Sequence, residues 1–342
     1  MRIAMFSTRP HDRTSFTEAI DALGSQHTVK FVEARLDAGS AAQAAECEAA
    51  CLFVHDQADA AALAALHRAG VRLVALRCTG FDHVDLAAAA RLRLTVVRVP
   101  DYAPHAVAEH AVALMLALDR HIQHAWQRTR NQDFRLQGLM GNGLHGRTVG
   151  IVGTGRIGTA TATILRGFGC HVVANDLQHE PLCEAIGVRY TSLHELLQES
   201  DIVSLHCALT PRTHHLIDHE ALTHLRHGAM LVNTSRGAVV DTNAVILALL
   251  EGQLGSFATD VFEREAQMFH SDLSRQVLRD ATLARLLGMP NVIVTPHQGF
   301  FTRPAVQAIA RTTLQNATAF ESGRMERGNL VVGPAESVSL SA

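Results

Sequence analysis

The 342-residue sequence contains few aromatic residues, no CxxC motif and no apolar run long enough to cross a membrane. Its six cysteines are therefore typical of reduced thiols in a cytoplasmic protein rather than of a disulfide scaffold. The first residues, Met1–Phe6, are strand-like and lack the apolar segment of a signal peptide. Positive charge is not in excess either, since 30 Lys and Arg residues oppose 33 Asp and Glu residues. This balance argues against nucleic acid or an anionic membrane as a partner.

Apolar residues, by contrast, make up 47% of the chain, in short strand-like runs that alternate with alanine- and leucine-rich helical stretches. Such alternation predicts an α/β protein whose parallel, doubly wound sheets are covered by helices on both faces. A chain of this length is expected to form two domains. The predicted strands are Ile3–Phe6, Leu52–Val54, Leu73–Leu76, Thr95–Val99, Val149–Val152, Val172–Ala174, Ile202–Leu205, Met230–Val232, Phe257–Thr259 and Val292–Val294.

Helical segments lie between these strands and connect the two series. Ala58–Ala69 and Val84–Leu92 are predicted helices of the first series. Pro104–Arg130 has no interior proline or glycine and predicts one long helix, which the glycine-rich loop Gly138–Gly146 follows. Because that helix is too long and apolar to be fully solvated, we expect it to pair with a second subunit in a homodimer or a higher assembly. The last helix, Pro304–Ser322, is expected to return to the first domain.

A dinucleotide-binding fingerprint lies near the middle of the chain. Residues 148–158 read TVGIVGTGRIG, a strand followed by GxGxxG. In this motif Gly153 makes the tight turn, Gly155 lets the backbone approach a pyrophosphate, and Gly158 lets helix and strand pack closely. Asp176 ends the following strand, where a carboxylate can bond both ribose hydroxyls and repel a 2′-phosphate. The segment therefore predicts NAD as the cofactor.

Together with this fingerprint, six motifs resemble the D-isomer-specific 2-hydroxyacid dehydrogenase family over nearly the whole chain, and its D-lactate dehydrogenase branch most closely. They are RCTGFD at 77–82, YAPHAVAEH at 102–110, LHCALTP at 205–211, VNTSRG at 232–237, DVFERE at 260–265 and TPHQ at 295–298. The resemblance implies a Rossmann dinucleotide-binding domain, 102–298, inserted into a flavodoxin-like substrate domain formed by 1–101 and 299–342. It also implies reversible hydride transfer between NADH and pyruvate or a related small 2-keto acid.

The catalytic residues of that family fall on Arg236, Glu265 and His297 of this sequence. Their chemistry suits a 2-keto acid, because a guanidinium binds a carboxylate with two parallel hydrogen bonds and polarises the neighbouring carbonyl. An imidazolium can protonate the carbonyl oxygen as hydride arrives, and a carboxylate partner favours that charged form. All three residues follow predicted strands, where ligands bind in open α/β sheets. Glu265 is preferred to Glu263 because it matches the second acid of the family motif.

The resemblance assigns further residues to the substrate and the cofactor. Thr79, Gly80 and Tyr102 are expected to join Arg236 in binding the substrate. The expected cofactor contacts lie in loops after the strands of the second domain: Gly153, Gly155, Arg156, Ile157, Gly158, Asp176, His206, Cys207, Ala208, Thr213, Thr234, Ser235 and Asp260. Two of them depart from the family pattern, since Ala208 replaces a frequent proline and Thr213 a frequent polar amide. Asn175 is also an unusual neighbour for Asp176.

The sequence does not predict a metal site. His215 and His219 are four residues apart and could share a helix face, but no cysteine or carboxylate completes a zinc set near them. Cys47 and Cys51 have the same spacing in an alanine-rich, helix-like stretch, where buried thiols are the simpler interpretation.

Two alternatives to pyruvate reduction remain open from the sequence. The first is the same reaction on another 2-keto acid, such as glyoxylate or a branched or aromatic one, with Phe81, Tyr102, Phe300 and Phe301 shaping the side pocket. Within this alternative, a phosphorylated substrate is not excluded, because Arg9 and Arg77 offer positive charge in the first domain. The second is an NAD(H)-sensing binding protein on the same fold, which an intact Arg–Glu–His set does not exclude.

Overall fold

The computed structural model describes residues 1–333 of the chain. Its strands are β1 (Arg2–Met5), β2 (Thr28–Phe31), β3 (Ala49–Leu52), β4 (Leu73–Leu76), β5 (Thr95–Val97), β6 (Thr148–Val152), β7 (His171–Asn175), β8 (Arg189–Tyr190), β9 (Ile202–Leu205), β10 (Ala229–Asn233), β11 (Leu254–Thr259), β12 (Val292–Val294) and β13 (Leu330–Val332). Each predicted strand coincides or overlaps with one of these, whereas β2, β8 and β13 correspond to none.

The helices connect these strands along the chain. They are α1 (Pro10–Leu23), α2 (Ala60–Arg68), α3 (Leu86–Arg91), α4 (Pro104–Asp119), α5 (Ile122–Arg130), α6 (Arg156–Gly167), α7 (Pro181–Ala185), α8 (Leu193–Glu199), α9 (His219–Thr223), α10 (Thr242–Glu251), α11 (Ala281–Leu287) and α12 (Arg303–Glu321). Among these helices of residues 1–333, none has both the length and the apolar character needed to cross a bilayer.

The first compact unit comprises Met1–Ala103 and residues 301–333. Residues 334–342 of the predicted substrate domain lie outside the described residues. Its sheet has the order β13-β5-β4-β3-β1-β2 and is parallel except for the antiparallel β13. Strand order 2-1-3-4-5 is that of flavodoxin-like folds, as expected. Side chains alternate between two cores: Ala4 and Phe6 pack with α2 and α3, and Ile3 and Met5 with α1 and α12.

The second compact unit comprises Pro104–Phe300. Its seven strands are all parallel, in the order β12-β11-β10-β9-β6-β7-β8. Counted from β6, this is the 3-2-1-4-5-6 order of a Rossmann fold with one strand added, so the predicted fold class is confirmed. The strand order reverses between β6 and β9, and ligands bind at such a switch point outside the carboxyl ends of the strands.

The predicted single helix over Pro104–Arg130 is wrong. The structure has two helices, α4 and α5, because His121 adopts a left-handed conformation with φ of 50° between them. The last residue of α4, Asp119, is buried and its carboxylate accepts hydrogen bonds from the N–H groups of Asn142 (3.1 Å) and Gly143 (3.0 Å). These contacts hold the end of α4 against a loop more than 20 residues away. Local sequence carries no signal for such a break, since neither proline nor glycine marks it.

The alanine-rich stretch around Cys47 and Cys51 is not the helix that its composition predicts. Cys51 lies in β3, which pairs with β1 and β4, and Cys47 lies in the turn before it. Both thiols are buried, as expected, at 2% and 0% exposure. Burial raises the pKa of Cys51 to about 12, so this residue stays a neutral thiol in the core.

Candidate active site

The glycine-rich turn between β6 and α6 has the geometry of a phosphate-binding loop. Gly153 has φ of +94°, and a Cβ there would lie 2.6 Å from the backbone nitrogen of Cys207. A Cβ on Gly158 would lie 1.9 Å from the carbonyl oxygen of Gly153, so the helix packs directly on the turn. Gly155, in contrast, has open space where its Cβ would stand. It is also the N-cap of α6 and has no side chain to cap it, which leaves the helix N-terminus suited to an anion.

Asp176 follows β7 and is held beside this turn. Its Oδ2 accepts hydrogen bonds from the backbone N–H of Thr154 (2.6 Å) and, at 3.3 Å, from the Thr154 hydroxyl. Its Oδ1 accepts from the N–H of Gln178 (3.2 Å). The unusual neighbour Asn175 points elsewhere and donates to the carbonyl of Thr191 (2.9 Å). The acid is therefore fixed at the end of β7, next to the phosphate-binding turn.

Two buried polar atoms lack partners at the carboxyl ends of β9 and β10. Within residues 1–333, neither Thr234 Oγ1 nor His206 Nδ1 has a hydrogen-bond partner. The other ring nitrogen of His206 lies 2.9 Å from the hydroxyl of Ser204, and burial lowers the pKa of His206 to about 4, so the ring is neutral. Unpaired buried atoms call for a polar ligand. Together with the open space at Gly155, they fit a dinucleotide.

Two other predicted cofactor contacts have hydroxyls that are bonded within their own loops. Thr213 Oγ1 donates to the carbonyl of Ala208 (2.6 Å) and accepts from the N–H of Thr210 (2.8 Å). Ser235 Oγ donates to Asn233 Oδ1 (2.9 Å). These side chains shape the loops after β9 and β10, and their contacts with a cofactor stay predictions.

Glu265 and His297 lie together at the carboxyl end of the sheet. His297 Nδ1 is 2.6 Å from Glu265 Oε1, and only 15% and 12% of the two side chains are exposed. The other oxygen, Glu265 Oε2, accepts the N–H of Phe262 (2.8 Å), which orients the carboxylate. His297 adopts a left-handed conformation with φ of 55°. Histidine adopts this conformation more often than most residues do.

The buried carboxylate of Asp260 holds the turn that contains His297. It accepts hydrogen bonds from the N–H groups of Gln298 (2.9 Å) and Gly299 (2.8 Å) and from the hydroxyl of Thr295 (2.6 Å). His110 Nε2 on α4 lies 3.3 Å from the same carboxylate. Burial alone would raise the pKa of Asp260, but the hydrogen bonds from His110 and Thr295 outweigh it and lower the pKa. Asp260 is thus ionised and braces the residues on both sides of His297.

Arg236 lies in the loop after β10, directly before a short 3₁₀ turn, Gly237–Val239. Its guanidinium donates to the carbonyl of Ser235 (2.8 Å), and its own carbonyl accepts from Asn233 Nδ2 (2.9 Å). A Cβ on Gly237 would lie 2.2 Å from the carbonyl carbon of Phe262. The loop of Arg236 is therefore in direct backbone contact with the segment that leads to Glu265.

Glu263, the other acid of its motif, has a different role from Glu265. Its Oε1 accepts from the hydroxyl (2.6 Å) and N–H (3.1 Å) of Thr242 at the start of α10. Its Oε2 lies 3.2 Å from His215 Nε2. Glu263 therefore anchors α10 and a surface histidine, and it is Glu265 that lies against His297.

His215 and His219 do not share the helix face that their spacing in the sequence allows. His215 sits in a turn with φ of 50° and stacks on His214, with 4.1 Å between ring centroids. His219 begins α9, so the two residues do not lie on one helix.

The predicted substrate residues of the first unit occupy the loops after β4 and β5. Thr79 Oγ1 donates to the carbonyl of Val99 (3.0 Å), and the carbonyl of Gly80 accepts from Cys78 Sγ (3.3 Å). Tyr102 is half-buried just before α4. Their contacts with a substrate stay predictions.

Arg77 cannot bind a phosphorylated substrate, a role that the sequence alone leaves open. It is 2% exposed and donates to the carbonyls of Phe6 (3.1 Å) and Ser7 (3.0 Å) and to Asp12 (3.3 Å). Its guanidinium also lies over the ring of Phe53, 4.7 Å from the centroid. Arg77 is a structural cation of the first unit.

Comparison with known proteins identifies the relatives of this chain. Residues 112–299 match the family model "D-isomer specific 2-hydroxyacid dehydrogenase, NAD binding domain". The chain is 45% identical over 323 residues to 2-hydroxyacid dehydrogenase homolog 1 of Schizosaccharomyces pombe, covering 94% of this chain and 97% of that protein. It is 42% identical over 331 residues to the D-lactate dehydrogenase of Escherichia coli, covering 97% and 100%.

Solved structures resemble the chain over the same length. The apo-structure of the Escherichia coli D-lactate dehydrogenase gives a TM-score of 0.87 at 41% identity, covering 97% of this chain and 100% of that one. The Aquifex aeolicus D-lactate dehydrogenase, complexed with NAD and lactic acid, gives 0.87 at 31% identity with the same coverage.

Proposed function

Because this chain belongs to the D-isomer-specific 2-hydroxyacid dehydrogenase family and is an NAD-dependent oxidoreductase, we propose that it reduces pyruvate, or a 2-keto acid of similar size, to the D-2-hydroxy acid. The observation that carries this proposal is the 2.6 Å pair of Glu265 and His297. It lies at the carboxyl ends of the strands, the same edge that carries the glycine-rich turn and Arg236. The similarity to the Escherichia coli D-lactate dehydrogenase favours pyruvate over larger keto acids.

In this proposal Arg236 binds the substrate carboxylate. A guanidinium and a carboxylate form two parallel charge-assisted hydrogen bonds, which fix the plane of the keto acid. The contact of the Arg236 loop with the segment before Glu265 supports a common site for the two side chains.

His297 is the proton donor in reduction and the proton acceptor in oxidation. Because Glu265 occupies Nδ1, the opposite ring nitrogen, Nε2, exchanges the proton with the substrate oxygen. The carboxylate of Glu265 accepts the hydrogen bond from Nδ1 and keeps the ring oriented throughout the transfer. When bound, the nicotinamide supplies the hydride that forms the new C–H bond at the keto carbon, while the proton from His297 completes the hydroxyl.

The cofactor is held by the carboxyl ends of β6, β7 and β10. The N-terminus of α6, beside Gly153 and Gly155, binds the pyrophosphate, and Asp176 binds the ribose hydroxyls. The hydroxyl of Thr234, which has no partner among residues 1–333, is suited to donate to the nicotinamide side.

A homodimer in the cytoplasm is part of the proposal. Large apolar side chains are exposed along residues 122–140, which supports a subunit contact there. They are Ile122 (56%), Trp126 (61%), Phe134 (73%), Leu136 (82%) and Met140 (90%). All six cysteines are free thiols, which is in keeping with a reducing compartment.

A keto-acid panel assayed by NADH absorbance tests the proposed function. We expect the fastest turnover with pyruvate, formation of D-lactate, and loss of at least ~10³-fold in kcat/KM for Arg236→Ala with NADH binding retained. Tight NADH binding without turnover on any keto acid would contradict the proposal and favour an NAD(H)-sensing protein instead.

A further inference from the structure

The short edge strand β8 carries a tyrosine whose hydroxyl reaches the glycine-rich turn. Tyr190 pairs with Ala174 of β7, and it is half-buried. Its hydroxyl donates to Thr154 Oγ1 (2.9 Å), across 36 residues of chain. Thr154 stands between the first two glycines of GxGxxG and is 3% exposed. Neither residue belongs to the catalytic set.

Through Thr154 the tyrosine is connected to Asp176. Thr154 contacts Asp176 Oδ2 twice, by its backbone N–H (2.6 Å) and its hydroxyl (3.3 Å). A threonine hydroxyl has a single proton to donate. Because Tyr190 donates to the Thr154 oxygen, that proton remains available for the carboxylate. The Thr154 hydroxyl also lies 3.5 Å from the carbonyl oxygen of Gln178, but its contact with the carboxylate is shorter and charge-assisted. The order of donation is therefore Tyr190 to Thr154 to Asp176.

Tyr190 also fixes the far end of the loop that begins at Asp176. Its hydroxyl oxygen accepts the N–H of Glu180 (2.9 Å). Its ring stacks on that of His179, with 3.9 Å between centroids and 11° between planes. Burial raises the pKa of the Tyr190 hydroxyl above its ordinary value of 10, so the group is a donor throughout the neutral range. A single side chain thus holds both the acid and the loop that follows it.

We propose that Tyr190 is a positioning residue for the dinucleotide, holding Asp176 in the orientation that accepts both ribose hydroxyls and thereby setting the preference for NADH over NADPH. This inference rests on the NAD-binding part of the proposed function. To accept hydrogen bonds from both ribose hydroxyls, the Asp176 carboxylate must adopt one rotamer. Its repulsion of the 2′-phosphate of NADPH depends mainly on charge and distance instead. Removing the Tyr190 hydroxyl, and with it the hydrogen bond to Thr154, should therefore weaken NADH binding and leave NADPH binding nearly unchanged.

Calorimetric titration of the full-length protein with NADH and with NADPH tests this inference. Tyr190→Phe keeps the ring that stacks on His179 and removes the hydroxyl. We expect a five- to tenfold weaker NADH affinity, the effect of about one hydrogen bond, with NADPH affinity changed less than twofold. In steady-state assays KM for NADH should rise while kcat is retained.

A double-mutant cycle distinguishes positioning from general destabilisation. In an Asp176→Ala background, Tyr190→Phe should change NADH affinity less than twofold, because the carboxylate that Tyr190 positions through Thr154 is already gone. Thr191→Val is the matched control: it removes a neighbouring hydroxyl that is bonded to Glu195, outside this network, and should preserve the NADH-to-NADPH ratio.

Three results would overturn the inference. One is an equal loss of NADH and NADPH affinity in Tyr190→Phe, another is an undiminished effect in the Asp176→Ala background, and the third is the same change of ratio in Thr191→Val. If the wild-type protein bound neither nucleotide, the proposed function itself would fail. If it preferred NADH and Tyr190→Phe left that preference intact, only this inference would fail.

Discussion

Replacing Glu265 by glutamine is expected to lower kcat/KM for keto-acid reduction about tenfold on the alkaline side of its pH profile. The amide keeps an oxygen that can accept from His297 Nδ1, now 2.6 Å from Glu265 Oε1, but it removes the negative charge. Hydrogen bonds to charged groups contribute about 1.5–3 kcal/mol and neutral ones about 0.5–1.5 kcal/mol, a difference of about 1–1.5 kcal/mol. That difference corresponds to about a tenfold change in kcat/KM. Water screens the pair little, because the side chains are only 15% and 12% exposed.

The assay for this prediction is kcat/KM for pyruvate reduction, followed by NADH absorbance from about pH 5 to 9. Because reduction requires the imidazolium, the alkaline limb of the profile should move to lower pH in Glu265→Gln. Glu263→Gln is the matched control, since Glu263 contacts Thr242 and His215 instead of His297. The pairing of Glu265 with His297 would be refuted as the cause if the alkaline limb stayed in place or moved to higher pH. An equal shift in Glu263→Gln would refute it as well.

Three further predictions follow from the second unit. Gly158→Ala places a Cβ 1.9 Å from the Gly153 oxygen, so it should lower the free energy of unfolding by about 1–3 kcal/mol and abolish most NADH binding. Gly167→Ala is the control, because its Cβ would enter open space, and it should change neither stability nor binding. Thermal unfolding measures the stability, and calorimetry measures the NADH affinity. Hydrogen bonds lower the pKa of Asp260 in the folded protein below its ordinary value of 3.8. The stabilisation by its charge is therefore complete above pH 3.8 and is lost as the pH falls through the lowered pKa. Below that lowered pKa, the difference in melting temperature between wild type and Asp260→Asn should shrink. Trp126→Glu should shift sedimentation from dimer to monomer, and an unchanged dimer would place the subunit contact elsewhere.

Sequence reasoning could predict the parts of the site that depend on local patterns. The glycine-rich turn is such a pattern, because Gly153 needs a positive φ and Gly158 a close backbone approach, and both requirements restrict the residue type. The alternation of buried runs and helices likewise predicted both sheets, since a strand covered on two faces must be apolar throughout.

The rest depends on contacts that no local pattern encodes. Tyr190 lies in a strand of two residues, and its role requires the β7–β8 pairing that brings it to Thr154. His110 stands in a recognised motif, but its contact with Asp260 spans 150 residues and depends on where α4 packs. The break at His121 follows from the hydrogen bonds of Asp119 to a later loop.

A crystal structure of the protein with NADH and oxamate, an unreactive analogue of pyruvate, tests the central claim most directly. We predict that the guanidinium of Arg236 binds the oxamate carboxylate, that His297 Nε2 lies within hydrogen-bond distance of its carbonyl oxygen, and that Glu265 stays on Nδ1. A complex in which Arg236 and His297 contact different molecules, or in which oxamate binds away from both, would contradict the account.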